Sequence, residues 1–538
     1  MPHLPPPIHR SALRRLGLLL AAVTLVAACT SAPPASTPGI ALDLDNASRT
    51  AIRGETIEVT VDLIRLGGAD APVELSLTGL PANVTATFAP ASLSGTASES
   101  TLTLTVGADA ADGVSDLTVT GTAGTLTDDA VLTLTVTSLT VNGRVEQSFQ
   151  RPLAGATVAS QGQTAFSDGS GAFTLSGLAL PYDLVVSAAL GDGGLHVYEG
   201  MTSPTPLVRP TFGSLDFPSP GFGATINGSL AGGALGANEV VFACVEGLAS
   251  AVYGCEVLFP GATNFSMDVA WFDGATASVR LHALHIEVLA DVVSDYLGYE
   301  TIDLNLSDGG VTVTSLDFDP VDTGTLSGTT SQPVAATGTA LRVTARFGPN
   351  LIMRIADDIQ DPGAAFEVLV PVLPGLTYDV LFSAAVPDMS LVTTWKHDVG
   401  LDAGALALAM PTELVAPAAG TTGVDVATPF SSTAVGGART YVWRPGGGVT
   451  GPVIALTTTR TSVTIPAPAL GGFAFPSGAD YVWSTVGHGA DGVDTAAAGG
   501  FADLLNLLYI SSGLAGSGFD GDRTFSLPSA VRTLTFAP

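Results

Sequence analysis

The sequence predicts an all-β protein built from tandem β-sandwich domains. Short runs alternate apolar and polar residues and are rich in Val, Thr and Leu, as in residues 56–64, 100–106 and 130–136. Alternation with a period of two is typical of half-buried strands. Turns rich in Gly, Ala, Asp and Pro separate these runs at the spacing of a sandwich. The strongest helical pattern, residues 285–299, also fits a strand.

The first 29 residues have the three parts of a secretory signal. Residues 1–15 carry three arginines and no acid, and residues 16–26 are apolar. This apolar run is shorter than the roughly 20 residues that span a bilayer. Val26-Ala27-Ala28-Cys29 resembles the lipobox of bacterial lipoproteins. An ordinary signal peptide with an incidental cysteine, and twin-arginine export through Arg14-Arg15, remain alternatives.

The lipobox resemblance implies that Cys29 is lipidated and becomes the first residue of an exported protein. Two acyl chains give stable anchoring, so a membrane is the expected partner. Residues 30–38 are small, polar and proline-rich, which predicts an extended tether. Thr30, rather than an aspartate, follows the cysteine. By resemblance to proteobacterial sorting rules, this favours the outer membrane or the cell surface.

The composition is strongly acidic, with 19 basic and 49 acidic residues and a formal net charge of −30. Nucleic-acid binding is therefore not expected, because contact with phosphates needs a basic surface. Lys396 is the only lysine. A saline habitat fits this composition, and so does a GC-rich genome combined with a need for solubility.

Two cysteines follow Cys29, and both lie in strand-like runs joined by a short turn-prone stretch. In an oxidising compartment this predicts a disulfide between Cys244 and Cys255 across a hairpin. Two buried thiols are the alternative. No second cysteine pair or nearby histidine cluster completes four ligands, so no metal site is predicted.

Residues 39–138 form the first predicted domain. The segment VELSLTGLPANVTATFAPASLSG (73–95), followed by a Thr/Leu-rich strand, resembles bacterial Ig-like domains of surface proteins. The resemblance implies a Greek-key sandwich with Phe88 as a core aromatic residue.

Residues 139–210 resemble the carboxypeptidase regulatory-like domain, a small sandwich of the carbohydrate-binding-like fold class. The resemblance lies in Gly143, the run 152–158, the turn 168–171 that leads to Phe173, and Tyr182 before an apolar run. Asp168 and its glycines are typical of a hairpin turn that needs positive φ. Domains of this family are accessory modules and are not catalytic themselves.

Two further units, residues 211–322 and 323–410, have the pattern of distant internal repeats. Residues 225–228 and 325–328 are similar to residues 140–143, at about one domain length from each other. A Phe-x-x-x-Val pattern follows in each of the two later units, at Phe265 and Phe366. Chance similarity in Thr- and Gly-rich sequence is the alternative.

Residues 411–538 resemble a fibronectin type III-like or related Ig-like domain. Tyr441-Val442-Trp443 and Tyr481-Val482-Trp483 predict two paired strands. Core packing is the default for these aromatic residues. The alternative is that Trp443 and Trp483 form an exposed platform on which a sugar stacks. The tail 501–528 does not fit a simple sandwich and allows a short helix.

Motifs for catalysis are absent from the sequence, which has no nucleophile elbow, zinc-protease motif or P-loop. No catalytic residue is therefore predicted. His282 and His285 would face opposite sides of a strand and would share a metal only on a helix. Lys396-His397-Asp398 predicts a solvated loop rather than a triad.

Calcium is the one cofactor that the sequence leaves open. It requires six to eight oxygen ligands, which loops of extracellular β-domains often supply. None of the candidate segments is a full EF-hand loop, and Asp-Gly turn chemistry explains each of them. These segments are residues 42–46, 167–171, 316–320 and 519–523.

Together these patterns predict a non-enzymatic, surface-displayed lipoprotein that acts as a structural or adhesive module. A carbohydrate-binding surface protein is the first alternative, which the resemblance of residues 139–210 suggests. The second alternative is a hydrolase with a site in residues 211–410. Glycans and other surface proteins are the partners that these functions imply.

Overall fold

A computed structural model describes most of the chain after the tether. The described residues are 37–147, 151–188, 193–210, 220–249, 252–272, 274–290, 292–331, 338–348, 351–360, 364–385, 391–408, 413–433, 436–446, 451–466, 478–489, 491–499, 523–527 and 532–536. Strands make up nearly all of their regular structure. The all-β prediction is therefore confirmed. We refer to the five predicted domains, in chain order from residue 39, as units 1 to 5.

Unit 1 is a sandwich of two sheets around its own apolar core. The strands are β1 (Gly39–Leu44), β2 (Ser48–Ile52), β3 (Thr56–Leu66), β4 (Val73–Thr78), β5 (Val84–Ala89), β6 (Ser92–Leu93), β7 (Glu99–Val106), β8 (Gly113–Ala123) and β9 (Leu126–Thr137). The sheet orders are β1-β3-β7-β5 and β2-β9-β8-β4-β6. Alternate residues such as Val59 and Val61 point into the core, and Phe88 packs against its margin.

Units 2 to 4 supply most of the remaining strands. Unit 2 contains β10 (Leu139–Val145), β11 (Thr157–Ser160), β12 (Gln163–Phe166), β13 (Ala172–Leu178), β14 (Tyr182–Ala188), β15 (Gly194–Met201) and β16 (Leu207–Val208). Unit 3 contains β17 (Phe222–Leu230), β18 (Glu239–Gly247), β19 (Val252–Tyr253), β20 (Cys255–Leu258), β21 (Asn264–Trp271), β22 (Thr276–Leu289), β23 (Val292–Ser307) and β24 (Val311–Leu316). Unit 4 contains β25 (Asp322–Ser331), β26 (Gly338–Gly348), β27 (Leu351–Gln360), β28 (Ala365–Val372), β29 (Thr377–Ala385), β30 (Leu391–Val399) and β31 (Asp402–Ala407).

These three units share one strand connectivity. The first strand of each lies between an antiparallel partner and a parallel last strand, in the orders β13-β10-β16, β21-β17-β24 and β28-β25-β31. The second sheets correspond as well, in the orders β12-β11-β14-β15, β20-β18-β22-β23 and β27-β26-β29-β30. The weak sequence similarity between the units thus coincides with a repeated fold.

A glycine that faces a phenylalanine ring occupies the same place in all three repeats. A Cβ atom on the glycine would lie 2.3, 1.9 and 2.6 Å from the ring in units 2, 3 and 4. A glycine inside a strand often marks such a close approach. The cross-strand pairs are Gly143–Phe173, Gly228–Phe265 and Gly328–Phe366. Phe173 therefore corresponds to Phe265 and Phe366, although the Phe-x-x-x-Val pattern of the sequence is present only in units 3 and 4.

Unit 5 has a small sheet, β32-β34-β37, and strands that join a larger one. Its elements are β32 (Leu414–Ala416), β33 (Thr421–Val424), β34 (Phe430–Ser432), β35 (Arg439–Pro445), β36 (Val453–Thr458), β37 (Ser462–Val463), β38 (Asp480–Gly487), helix α1 (Val493–Ala498), β39 (Arg523–Leu527) and β40 (Arg532–Phe536). Helix α1, the one helix among the described residues, precedes the tail 501–528, for which the sequence permits a short helix. Most of that tail lies outside the described residues.

One sheet runs through units 2, 5 and 4 in the order β12-β11-β14-β15-β36-β35-β38-β39-β30-β29-β26-β27. The junction of units 2 and 5 is a parallel pairing of β15 with β36, from Gly194–Val453 to Tyr198–Thr457. The junction of units 5 and 4 is the antiparallel pairing of β39 with β30. The predicted tandem units are therefore joined through strands that are distant in sequence.

The cores of units 2 and 5 exchange residues across their junction. Leu195 and Val197 of β15 pack in the core of unit 5 beside Trp443 and Trp483. In return, Val493, Ala496 and Ala497 of α1 pack in the core of unit 2. Each unit thus completes the apolar core of the other.

Further contacts connect the remaining neighbours. Tyr296 of unit 3 packs in the core of unit 4 and donates a 3.0 Å hydrogen bond to the carbonyl of Leu369. The Arg151 guanidinium of unit 2 lies 4.4 Å from the ring centre of Phe272 in unit 3. Units 2 to 5 therefore form a closed arrangement in which each unit contacts two others. Unit 1 is joined to unit 2 by the backbone of residues 53 and 180.

The helical alternative for residues 285–299 is wrong, because these residues belong to the hairpin of β22 and β23. β22 is buried on both faces: Leu281 packs in the core of unit 3 and Leu284 in the core of unit 4. A strand buried on both sides lacks clean alternation, so its apolar run resembles that of a buried helix.

Gly228→Ala is expected to destabilise the protein by about 1–3 kcal/mol, because the new methyl group would overlap the Phe265 ring. Chemical denaturation followed by tryptophan fluorescence measures the change. Gly232→Ala in the same unit is the matched control, because no atom lies within 4 Å of its Cβ position. Equal effects of the two substitutions would contradict the proposed packing.

A fragment comprising residues 411–538 is expected not to fold alone, since its core lacks Leu195 and Val197 without unit 2. Circular dichroism and the dispersion of amide proton chemical shifts in NMR spectra show whether the fragment folds. Residues 39–138 are the control and should fold alone, because every residue of that core lies within unit 1. A cooperative unfolding transition of the isolated C-terminal fragment would refute the dependence.

Candidate functional site

The predicted disulfide joins Cys244 and Cys255, which are directly opposite each other on β18 and β20. Their Cα atoms are 4.1 Å apart. Cys244 is buried and packs with the core of unit 4 rather than with that of its own unit. The prediction of a hairpin disulfide is therefore confirmed, and the bond lies at the interface of units 3 and 4.

A chain of buried polar side chains lies beside this disulfide. His282 on β22 is opposite Cys244 and is 1% exposed. Its Nε2 lies 3.2 Å from Oε2 of Glu246, and its Nδ1 lies 2.7 Å from the Tyr299 hydroxyl. Phe347 of unit 4 packs against the His282 and Tyr299 rings. Burial raises the pKa of Tyr299.

His285 lies on the opposite face of β22, as a strand requires. Its Nε2 lies 3.2 Å from Oε2 of Glu239, and its ring packs against Phe318. The two histidines cannot converge on one metal ion, because residues three positions apart in a strand point to opposite faces of the sheet.

A second cluster, centred on the buried Asp379, corrects the interpretation of Lys396-His397-Asp398 as a solvated loop. These residues lie on β30, and His397 Nδ1 is 3.0 Å from the carboxylate of Asp379, which is fully buried. Arg346 donates to the same carboxylate at 2.5 Å. The loop interpretation is wrong because Asp379 lies on β29, which pairs with β30, and Arg346 lies on β26, on the other side of β29.

Trp443 and Trp483 are buried completely, so the exposed sugar-stacking platform is wrong. The two residues are paired across β35 and β38. The Phe430 ring meets both indoles edge-on, at centroid distances of 5.1 and 5.2 Å. Edge-to-face packing of this kind stabilises a core. The small sheet of unit 5 covers the face that a ligand would need.

A third buried polar chain crosses the junction of units 2 and 5. His196 Nε2 lies 2.8 Å from Thr457 Oγ1, which lies 2.8 Å from Thr440 Oγ1. Thr440 Oγ1 in turn lies 2.8 Å from Nε2 of His488. Each of the four residues is less than 5% exposed. No local sequence pattern marks this chain, because its members lie on four separate segments.

In the Asp-rich turns, aspartate carboxylates accept hydrogen bonds from groups nearby in the sequence. Asp168 accepts from the Ser170 hydroxyl and from the backbone N–H groups of Ala172 and Ser170 within its own turn, and these bonds lower its pKa. Asp45 pairs with Arg49 at 2.8 Å. Within the described ranges, no group of three or more His, Cys, Asp or Glu residues is placed to hold a metal ion. The segment 519–523 lies almost wholly outside those ranges.

Cys29 and the tether up to residue 36 lie outside the described residues, so the lipidation prediction is unchanged. In the part of the chain that is described, no helix has the length and apolar character needed to cross a membrane.

Comparisons with known proteins place the chain in no family. No family model matches it, and no curated protein matches it. Among solved structures, it is similar to domains 4–9 of the surface layer protein SbsC, at 9% identity and a TM-score of 0.16. That match covers 84% of this chain and 63% of the SbsC chain, so the chain spans less than two thirds of that structure.

Two other structural similarities are of the same kind. A four-domain ectodomain fragment of ICAM-5 matches at 8% identity and a TM-score of 0.14, covering 83% of this chain and 94% of the fragment. The pilus adhesin SpaC from Lactobacillus rhamnosus GG matches at 10% identity and a TM-score of 0.13, covering 71% of this chain and 53% of the adhesin. Scores this low assign neither a fold family nor a function.

Replacing both cysteines, Cys244→Ala with Cys255→Ala, is expected to lower the free energy of unfolding by about 3 kcal/mol in the chain-entropy model for a loop of this length. The sequence separation is 11 residues. Urea denaturation of the two proteins measures the loss. Mass spectrometry of the exported wild type should show both thiols absent, and free thiols there would contradict the bond.

Proposed function

We propose that the protein is a non-enzymatic lipoprotein displayed at the cell surface, where it acts as a structural or adhesive module. Lipidation of Cys29 would attach it to the outer membrane or cell surface, and residues 30–38 would separate the folded units from the lipid. Glycans or other surface proteins are the expected partners.

The continuous sheet through units 2, 5 and 4 is the observation that carries this proposal. Domains joined only by linkers move relative to each other unless their interfaces are large and apolar. Here backbone pairing and exchanged core residues fix units that lie some 260 residues apart in sequence, as for His196 and Thr457. A stiff body on the predicted tether would be suited to presenting a surface away from the membrane.

A hydrolase with a site in residues 211–410 is the second candidate. The Tyr299–His282–Glu246 chain supports it, because a hydroxyl, an imidazole and a carboxylate follow one another in the order of an acid–base triad. The carbohydrate-binding alternative rests on the resemblance of residues 139–210 alone, because Trp443 and Trp483 are buried and cannot stack on a sugar.

Cys29→Ser is expected to release the protein from the membrane fraction, because the acylated thiol is the proposed attachment. Fractionation and immunoblotting measure this, with Thr30→Ser as the control that keeps the lipobox cysteine. Unchanged membrane retention of Cys29→Ser would refute the anchor.

The module function is tested by incubating residues 39–538 with glycan arrays and with broad hydrolase substrates. Binding to glycans or surface proteins without turnover supports an adhesive role. Turnover that survives repurification and is lost in His282→Ala, but not in His285→Ala, would establish the hydrolase instead.

A further inference from the structure

The His196–Thr457–Thr440–His488 chain lies where units 2 and 5 meet. His196 belongs to β15 of unit 2, and the other three residues belong to unit 5. The His196–Thr457 hydrogen bond crosses the β15–β36 pairing that joins the two units, and the other two bonds lie within unit 5. Separation of the units would break the His196–Thr457 bond and expose the imidazole to water.

The hydrogen bonds of this chain require one of its two imidazoles to be unprotonated at Nε2. Its three hydrogen bonds need three donated protons. The two threonine hydroxyls supply two of them, so one imidazole donates from Nε2 and the other accepts there. An imidazolium carries a proton on both nitrogens and accepts none. Protonating the accepting ring therefore leaves four protons for three bonds, and one hydroxyl proton loses its place in the chain.

The surroundings also disfavour a charged ring. The Tyr198 ring stacks on His196 at 4.1 Å, and the Phe525 ring meets His488 edge-on at 5.8 Å. Burial and the neighbouring His488 lower the pKa of His196 from 6.5 to about 3.

Charged groups on three of the packed elements have other partners. Glu199 on β15 pairs with Arg460, and the buried Arg439 on β35 donates to the carbonyl of Thr433. Asp494 on α1 accepts from Thr202 and Ser203. Asp491 lies in the turn after His488, and one oxygen of its carboxylate is buried.

We propose that the interface of units 2 and 5 is an acid-sensitive contact: uptake of a proton by this histidine–threonine chain favours separation of β36 and α1 from unit 2. A group that binds a proton more tightly after opening makes opening more favourable as the pH falls. The closed state is therefore strongest above about pH 6.5 and weakens below it, down to the pKa of His196 in the closed state. This acid sensitivity does not depend on whether the protein is a scaffold or an enzyme.

Hydrogen exchange of the full chain tests this proposal, because it detects rare openings. Amide exchange in β15 and β36, corrected for the intrinsic chemical rate at each pH, gives the opening constant. One proton taken up on opening raises that constant by at most tenfold per pH unit, or about 50-fold from pH 6.5 to pH 4.5, because half of the opened imidazoles already carry the proton at pH 6.5. β3 and β7 of unit 1 are the internal control, since that unit contains no histidine.

His196→Gln combined with His488→Gln keeps two hydrogen-bonding amides but removes both rings that can take up the proton, so the interface of this double variant should lose the steep pH dependence. His285→Gln, a histidine in unit 3, is the matched control and should keep it. An equal pH dependence of β15–β36 and β3–β7 in the wild type would overturn the proposal, as would a wild-type slope in the double variant. If the double variant does not fold, the wild-type comparison alone decides.

Discussion

Every strand edge must satisfy its backbone N–H and C=O groups, and the arrangement of units 2 to 5 depends on how β15 meets this requirement. β15 pairs with β14 on one side and with β36 on the other, so the second sheet of unit 2 has no free edge there. The same strand sends Leu195 and Val197 into the core of unit 5. One pairing thus fixes the position of a C-terminal unit that the chain reaches only after units 3 and 4.

A glycine opposite a phenylalanine recurs in units 2 to 4, which have the same connectivity despite weak sequence similarity. At Gly228 the first strand passes so close to the Phe265 ring that no side chain fits. The ring covers the glycine backbone and restores the packing that the missing side chain would have provided. The rest of the unit tolerates variation, because an alternating strand needs only an apolar residue of suitable size at each inward position.

Basic residues are scarce in this acidic chain, and several of them are buried against carboxylates. Arg346 donates to the buried Asp379, and Arg209 pairs with Glu146 at 3.0 Å. A buried carboxylate without a partner would be costly, so these pairs accompany the burial of acids between strands and units. Histidines also lie at two interfaces, where His282 contacts Glu246 beside unit 4 and His196 contacts the Thr457 hydroxyl between units 2 and 5.

The sequence by itself determined the strands of unit 1 and the pairing of Cys244 with Cys255, because alternation and short hairpins are local signals. It left the hairpin of β22 and β23 ambiguous, since a strand buried on both faces loses its alternation. Only the tertiary structure decided that Trp443 and Trp483 are buried, because the small sheet that covers them folds from separate segments. It also decided that Arg346 meets Asp379 and that His196 meets Thr457. Contacts between residues so far apart depend on which strand edges pair, and periodicity along the chain carries no information about that choice.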